Sequence, residues 1–216
     1  MKKEEIIIDN TTGFVKGSYR LGSFIIKALW LQLLTVCYTL KGCLLLGLFP
    51  SITTSFRLVH QNFKEDLTAK ELRQKFKHYY QETFKESNQV GYILTVLGLF
   101  LVIDLKVSSI YIQSVMLHML LLVFFIGYLG VCLFIFPVIA RYQLTTQQYL
   151  KQAFLLFLAS PVETIAIVIA LSLLGIIWTA CPILLFIASI PMVTGVILWF
   201  SKQGILRSER KHLSNE

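Results

Sequence analysis

Apolar residues along the chain fall into five long runs that polar segments separate. A helix needs about 20 predominantly apolar residues to cross the roughly 30 Å hydrocarbon core of a bilayer. The runs lack the alternation of apolar and polar residues that membrane β-strands show, and only helices or closed barrels satisfy the backbone in lipid. The pattern therefore predicts five transmembrane helices. They cover residues 21–49, 90–105, 110–140, 162–180 and 183–200.

The polar segments between and beyond these runs differ in character. Residues 50–89 place apolar side chains at steps of three and four, which predicts two amphipathic helices on the cytoplasmic side. Residues 145–160 are polar at first and apolar afterwards, which predicts an interfacial helix that dips into the bundle. Residues 1–20 form a polar amino-terminal segment and residues 201–216 a basic carboxy-terminal tail, so we interpret the whole chain as one membrane domain.

Two helix starts carry the spacing of a capping box. In this motif a threonine hydroxyl accepts a hydrogen bond from a backbone amide, and a Glu or Gln side chain three residues later reaches back to the cap. Thr68 and Glu71 have this spacing, and so do Thr145 and Gln148. We expect a helix to begin at each pair.

Prolines indicate where helices end or bend. Ser160 can cap a new helix in which Pro161 takes the favoured first position, so we predict a break in the chain at Ser160. Pro137 and Pro191 each lack a backbone donor inside an apolar run. They predict kinks in the third and fifth spans.

The composition agrees with a lipid environment. Hydrophobic residues make up 56% of the chain and charged residues only 15%, against roughly 25% in soluble domains. The mean hydropathy is +0.69. These values exclude a soluble enzyme and predict an all-α, polytopic membrane helix bundle of about five transmembrane helices, with cytoplasmic amphipathic helices and the lipid bilayer as its surroundings.

The net charge of +8 has a similar explanation. A basic chain can bind nucleic acid, but here the basic residues stand between hydrophobic spans, where membrane orientation accounts for them, and we expect no nucleic-acid partner. Thirteen lysines and arginines lie in the segments on one side of the predicted membrane, and five lie on the other. Since basic loops stay in the cytoplasm, the count predicts an external amino terminus and a cytoplasmic carboxy terminus.

A search for catalytic and metal-binding motifs is negative. The sequence contains no glycine-rich phosphate loop, no HExxH and no GxSxG. Its four cysteines have no paired spacing and its four histidines are scattered. We therefore expect no catalytic residues, no metal, no cofactor and no enzymatic activity.

Three ionisable residues inside or beside the spans form a candidate polar site, because a charge in the bilayer costs about 2.5–3.5 kcal/mol on insertion scales. Lys41 could line a polar cavity and pair with Glu163, or it could lie nearer the interface on a tilted helix. His118 could relay protons, or it could simply bond to a carbonyl or hydroxyl group. Both interpretations stay open for each residue.

Three arginines in the loops form a candidate cytoplasmic interface. They are Arg57, Arg73 and Arg141. Arg141 follows the predicted kink at Pro137 and precedes a capped helix, so it could anchor to lipid phosphate or dock a cytoplasmic partner.

The sequence resembles the YesL-like integral membrane family, classed as domain of unknown function 624. The resemblance lies in residues 42–50, with the sequence GCLLLGLFP, in residues 84–104 with their two glycines, and in residues 136–161 with the Ala-Arg-Tyr element. It implies a multi-pass protein of a bacterial cell membrane. Because genes of the family often stand near genes for carbohydrate uptake and breakdown, it also implies a non-enzymatic accessory role there.

Two functions follow as hypotheses. The first is a non-enzymatic accessory component linked to carbohydrate uptake or utilisation, whose partner is a membrane permease for carbohydrates. The alternative is a small-solute transporter or channel that acts as an oligomer. The sequence leaves the ligand, the partner's identity and the oligomeric state open.

Overall fold

A computed structural model describes the backbone of residues 2–62 and 68–213 and the side chains of residues 22–61 and 68–205. The described residues form helices joined by short turns, without a strand. A π-helical turn, Ser108–Ile112, extends the third helix. The helices are α1 Lys2–Lys41, α2 Leu45–Asn62, α3 Ala69–Val107, α4 Val115–Arg141, α5 Thr146–Ala159, α6 Pro161–Ala180 and α7 Pro182–Leu213.

Five helical segments among the described residues are long and apolar enough to cross a membrane. They are Gly22–Lys41, Ala69–Ile112, Val115–Arg141, Pro161–Ala180 and Pro182–Ile205. Their outer faces are apolar: Met116 is 86% exposed, Phe186 77% and Val96 67%. Water would not tolerate so continuous an apolar surface on a monomer, and this confirms the predicted all-α membrane bundle with five such helices.

The first apolar run, predicted as one helix over residues 21–49, is divided in the structure. Helix α1 ends at Lys41 and α2 begins at Leu45. In the turn between them the Leu44 amide donates to the Thr39 carbonyl oxygen at 3.0 Å. The single-helix prediction was wrong because the turn is apolar and lacks proline, so hydrophobicity does not mark it.

Two glycines let α1 and α2 approach each other closely. A Cβ atom on Gly42 would clash with the Cα of Gly47, and a Cβ on Gly47 would clash with the carbonyl oxygen of Thr39. Between them Cys43 and Leu44 have left-handed φ values of 54° and 60°, an uncommon conformation for residues with a side chain. The α1–α2 hairpin therefore depends on the absence of side chains at positions 42 and 47.

Helix α2 lies at the centre of the bundle, in contact with α1, α3, α4 and α7. The first part of the predicted cytoplasmic amphipathic segment, residues 50–89, is therefore a buried helix and not a surface helix. One reason is that several of its polar residues are small hydroxyls, two of which bond within the helix: Thr54 donates to the Pro50 carbonyl at 2.7 Å and Ser55 to the Ser51 carbonyl at 2.9 Å. Residues 63–67 of that segment lie outside the described residues.

Helix α3 joins two elements that the sequence suggested were separate. It begins at the predicted capping box, in which the Thr68 hydroxyl accepts from the Glu71 amide and the Glu71 carboxylate accepts from the Thr68 amide at 2.8 Å. It then runs without a break through the predicted span at residues 90–105. It packs antiparallel on α2, because Phe49 lies against Gly91 while Arg57 bonds to Glu82 further along.

The second capping box and the break at Ser160 are also confirmed. The Thr145 amide donates to the Gln148 side chain at 3.0 Å, and α5 begins there. Helix α5 packs along α4, with the Phe157 ring filling the space over Gly130. Ser160 leaves the helical conformation with φ −128° and ψ 57°, and α6 starts at the next residue.

Helix α7 is interrupted near its start. Ala188 has a non-helical φ of −145° and ψ of 17°, three residues before Pro191. The interruption agrees with the kink predicted at this proline, since its ring crowds the preceding turn. Beyond it, Ile197 and Leu198 join a core in which Phe134, Ile135 and Val138 of α4 are fully buried.

Candidate functional site

The structure places the three predicted polar residues in different parts of the bundle. Lys41 ends α1 and is exposed, whereas Glu163 is 5% exposed in the first turn of α6, close to Gly204. His118 lies in the first turn of α4, and its Nδ1 atom is buried without a hydrogen-bond partner among the described residues. Neither His118 nor Glu163 lines the cleft beside Lys41.

Lys41 lines a cleft of about 460 Å³ between the α1–α2 turn and α3, which we call the hairpin cleft. This volume falls in the roughly 300–1,000 Å³ range of ligand pockets. The sequence analysis did not connect Lys41 with α3, because no local pattern reports which helices become neighbours. The cleft is lined by Tyr38, Lys41, Gly42, Cys43, Leu46, Lys77, Tyr80, Gln81 and Phe84.

Aromatic packing builds one wall of the hairpin cleft. The Tyr38 ring lies 5.0 Å from the Tyr80 ring and 4.9 Å from the Phe76 ring, measured between centroids. Phe76 is fully buried, so it anchors α3 against α1. The Lys41 Nζ atom stands 5.1 Å from the Tyr38 centroid, within the range of a cation–π contact.

The charge of the hairpin cleft is positive. Two of its lining residues, Lys41 and Lys77, are cationic, and none is acidic. Neither lysine forms a salt bridge with a carboxylate of the described residues. Tyr80 and Gln81 add a hydroxyl and an amide that can donate hydrogen bonds.

Arg57, one of the predicted interface residues, faces the interior instead. Its Nη2 atom lies 3.0 Å from Glu82 Oε1, and its guanidinium group stacks 4.7 Å from the centroid of the Tyr79 ring. Only 13% of the side chain is exposed. The Gln143 amide also donates to Glu82 Oε1, at 3.3 Å, which ties the end of α4 to the same group. Arg57 therefore joins helices and does not offer a docking surface.

The two other arginines have different surroundings. Arg73 is exposed on α3. Arg141 ends α4, half-buried, with its guanidinium group 5.6 Å from the Tyr142 ring centroid. Burial, followed by the positive charges of Arg141 and Lys202, lowers the pKa of His60 below its usual value. Basic groups from α2, α4 and α7 therefore meet at this end of the bundle.

A second tyrosine network joins α3 to α5. The Tyr149 hydroxyl lies 3.2 Å from Glu86 Oε2 and 3.0 Å from the Tyr142 carbonyl oxygen, and it accepts from the Leu144 amide at 3.1 Å. Tyr149 is 1% exposed. Burial raises the pKa of its hydroxyl, so the group remains a neutral donor. Sequence reasoning missed this network, although Glu82 and Glu86 share one helical face of α3.

The acidic and basic residues of α3 between residues 69 and 89 differ in their contacts. All three acidic residues have intramolecular partners: Glu71 caps Thr68, Glu82 bonds to Arg57 and Glu86 bonds to Tyr149. Four of the five lysines and arginines in this stretch are exposed, and the fifth, Lys75, is half-buried. We call the four exposed residues the α3 basic face: Lys70, Arg73, Lys77 and Lys85.

The described residues contain no group of three or more His, Cys, Asp or Glu side chains that could hold a metal ion. The described cysteines, Cys37, Cys43, Cys132 and Cys181, are free thiols. The notable groups of the structure are thus the hairpin cleft, the α3 basic face and the helix-joining networks around Glu82 and Glu86.

An apolar exterior over five long helices, with polar networks confined to the helix contacts, defines an integral membrane protein of the helix-bundle class. Residues 28–105, which include every residue of the hairpin cleft, match the model of a family described as "Protein of unknown function, DUF624". This match supports the resemblance of the chain to the YesL-like family.

Two relatives come from Bacillus subtilis (strain 168). The chain is 21% identical over 176 residues to the uncharacterized protein YesL, which is 82% of this chain and 81% of YesL. It is 24% identical over 143 residues to the uncharacterized protein YteU, which is 65% of this chain and 63% of YteU. No solved structure matches the chain.

Proposed function

We propose that this protein is a non-enzymatic accessory component of the membrane that binds another membrane protein through the α3 basic face. The observation that carries the proposal is the difference between the acidic and the basic residues of α3 along residues 69–89. The three carboxylates have partners within the molecule, whereas Lys70, Arg73, Lys77 and Lys85 are exposed. Such a surface attracts an acidic partner and steers its approach.

The packing of α3 argues for a protein partner over a lipid surface. An amphipathic helix that lies on lipid inserts its own apolar face into the bilayer. Here that face is already occupied, because Leu72 and Phe76 are buried against α1 and α2. The first turns of the basic face are therefore held rigidly by the bundle with their apolar side chains turned inward, and Phe84, 36% exposed, is an apolar neighbour of Lys85 further along.

The kind of partner is suggested by the family resemblance. Genes of the family often lie near carbohydrate-uptake genes, and α3 begins on the side that the orientation prediction assigns to the cytoplasm. A carbohydrate permease with an acidic cytoplasmic surface fits both points. The role in carbohydrate uptake or utilisation is part of the proposal.

The experiment uses the membrane subunits of a carbohydrate permease encoded beside this chain, co-expressed with it and extracted in mild detergent. The variant Lys70→Glu/Arg73→Glu reverses two exposed charges of the α3 basic face. The control, Lys106→Glu/Lys151→Glu, reverses two exposed charges elsewhere. We expect co-elution at fixed stoichiometry, with a loss of about tenfold or more in the first variant only.

Two outcomes would contradict the proposal. One is that the permease and the chain elute separately. The other is that the Lys70→Glu/Arg73→Glu variant retains less anionic lipid but as much permease as the wild type, which would assign the basic face to lipid.

A second candidate function is an oligomeric transporter or channel for small solutes, and one observation favours it. Ser51 on α2 and Ser87 and Asn88 on α3 are at most 7% exposed, and their side-chain polar atoms, both of them in Asn88, lack hydrogen-bond partners among the described residues. The antiparallel packing brings these positions near the same level. Polar groups inside a membrane bundle can mark a solute path. Vesicles that hold the purified protein and show no flux of sugars or ions would weaken this candidate.

A further inference from the structure

We propose that the hairpin cleft is an anion site that binds a phosphate group, with Lys41 and Lys77 supplying the positive charge. The cleft and the α3 basic face share Lys77, but Lys41 belongs to the cleft alone and Lys70 and Arg73 belong to the basic face alone, so the two proposals can be tested separately. The same phosphate chemistry can come from a phospholipid headgroup or from a soluble phosphate, and the experiment below separates them.

The first argument is the source of the charge. Lys41 comes from the end of α1 and Lys77 from α3, so the fold places on one cleft two lysines that lie 36 positions apart in the sequence. Two like charges repel each other, and no carboxylate lines the cleft to offset them. A phosphate between them would remove the repulsion and accept hydrogen bonds from both.

The second argument is that the carbonyl groups at the end of α1 do not need Lys41 as a hydrogen-bond donor. A lysine in the last turn of a helix often bonds to the final carbonyl groups. Here backbone amides of the turn already occupy two of them: Gly42 donates to Tyr38 at 3.1 Å and Leu44 donates to Thr39 at 3.0 Å. The ammonium group instead stands over the Tyr38 ring, at the edge of the cleft.

The third argument is that the cleft is formed before a ligand arrives. The α1–α2 turn is fixed by the close contact of Gly42 with Gly47. The rings of Tyr38 on α1 and Tyr80 on α3 pack on each other, and Tyr38 also packs on the buried Phe76, which holds α1 against α3. The Tyr80 hydroxyl lies against the turn at Gly42. Rigid walls lower the entropic cost of binding, because few side chains have to be ordered.

Apolar side chains beside the cleft suit a phosphate that carries acyl chains. Leu40, Leu44 and Leu45 are 59%, 60% and 74% exposed around the turn. Leu46 and Phe84 line the cleft itself. A phospholipid could place its headgroup between the lysines and its chains along these leucines, whereas a soluble phosphate would use the polar part alone.

The experiment measures binding to the purified full-length protein in a neutral detergent by ³¹P NMR and isothermal titration. The probes are dihexanoyl phosphatidylglycerol below its micelle concentration and inorganic phosphate. The variants are Lys41→Gln, Lys77→Gln and the double variant, and the control is Lys106→Gln/Lys151→Gln, which neutralises two exposed lysines elsewhere. Each substitution is at an exposed side chain, and thermal unfolding checks that each variant folds.

We expect each single variant to bind the lipid about tenfold more weakly and the double variant to lose binding, since each removes a charge-assisted contact. The control should bind as the wild type does. Binding of the lipid alone assigns the site to a headgroup, and equal binding of both probes assigns it to a free phosphate. The proposal is overturned if the wild type binds neither probe, or if the folded double variant binds as tightly as the wild type.

The outcome is separable from that of the permease proposal. Lys41→Gln should leave permease co-elution unchanged, and Lys70→Glu/Arg73→Glu should leave the affinity for phosphate within about twofold. A loss of both properties in the Lys41→Gln variant would show that the phosphate site and the permease-binding surface are one site, which contradicts the assignment of Lys41 to the cleft alone.

Discussion

The Gln32 side chain on α1 accepts a hydrogen bond from the backbone amide of Ile190, which lies in the interrupted part of α7, with Oε1 2.9 Å from the amide nitrogen. The other end of the same side chain donates from Nε2 to the Ser189 hydroxyl at 3.0 Å. The interruption at Ala188 withdraws the usual helical partner of this amide. In a membrane bundle an unsatisfied amide is costly. The Gln32 side chain of α1 provides the acceptor that this amide of α7 needs.

This relationship predicts that Gln32→Leu destabilises the protein. The substitution keeps a side chain of similar size but leaves the Ile190 amide without its acceptor. We expect a loss of about 1–3 kcal/mol in the free energy of unfolding. The measurement is thermal unfolding in detergent, and Gln203→Leu, which changes an exposed glutamine of α7, serves as the control. Equal stability of the two variants would show that the contact with Ile190 is unimportant.

A second prediction concerns the α1–α2 hairpin. Gly47→Ala places a Cβ atom against the backbone of Tyr38 and Thr39, which cannot move as a flexible side chain would. We therefore expect the hairpin to open or the protein to lose more than 1 kcal/mol of stability, in the range of over-packed cores.

The control for this prediction is Gly175→Ala. A Cβ atom there meets nothing within 4 Å, and alanine is the better helix former by about 1 kcal/mol. The Gly175→Ala variant should therefore be as stable as the wild type or more stable. If Gly47→Ala behaves in the same way, the close approach of α1 and α2 does not exist in the protein.

The features that local patterns encode were predictable from the sequence. The capping boxes at Thr68 and Thr145 and the break at Ser160 are set by neighbouring residues, and all three occur in the structure. The five apolar helices follow from composition in the same way. A predicted span can nevertheless be divided, as at positions 42–44, where the only local sign is the pair of glycines around the turn.

The features that depend on tertiary contact were not predictable. Helix α2 looked like a surface helix because Ser51, Thr54 and Ser55 count as polar, although their hydroxyls are buried and Thr54 and Ser55 donate within the helix. The hairpin cleft needs α1 beside α3, and nothing in the sequence near Lys41 points to Lys77. Arg57 was assigned to a surface for the same reason, because its partner Glu82 is 25 positions away.

A third prediction concerns pH. Burial, Arg141 and Lys202 lower the pKa of His60 in the folded state, so the folded protein binds this proton less readily than the unfolded chain does. Neutral His60 therefore contributes to the stability of the folded protein. This contribution is fully present above the unfolded pKa of about 6.5 and is lost as the pH falls through the lower pKa of His60 in the folded state. Because only part of the His60 side chain is desolvated and the rest is exposed to solvent, we expect this contribution to the free energy of unfolding to be less than about 1 kcal/mol.

The measurement for His60 is an NMR titration of the histidine ring in the detergent-solubilised protein. Its midpoint should lie below 6.5 and should rise in Lys202→Gln, which removes one of the neighbouring charges. His78, on the exposed side of α3, provides the comparison and should respond to Lys202→Gln by less than His60 does. A midpoint for His60 above 6.5 would place it away from the two basic residues.

The last prediction separates a structural ion pair from a surface one. Glu82 has two basic neighbours. The Arg57 side chain is 13% exposed and its Nη2 atom lies 3.0 Å from Glu82 Oε1, whereas the His78 side chain is 75% exposed and its Nε2 atom lies 3.9 Å from Glu82 Oε2. Exposed pairs contribute between zero and about 1 kcal/mol, because solvent screens them. Loss of a largely buried partner costs more, since the remaining charge keeps its desolvation cost.

A double-mutant cycle of Arg57→Gln with Glu82→Gln should therefore give a coupling of about 1–2 kcal/mol, reduced by the partial exposure of Glu82. The cycle of His78→Gln with Glu82→Gln should give less than about 0.5 kcal/mol. Equal couplings in the two cycles would mean that Arg57 is as solvated as His78. Arg57 would then be available to dock a partner, as the sequence analysis expected.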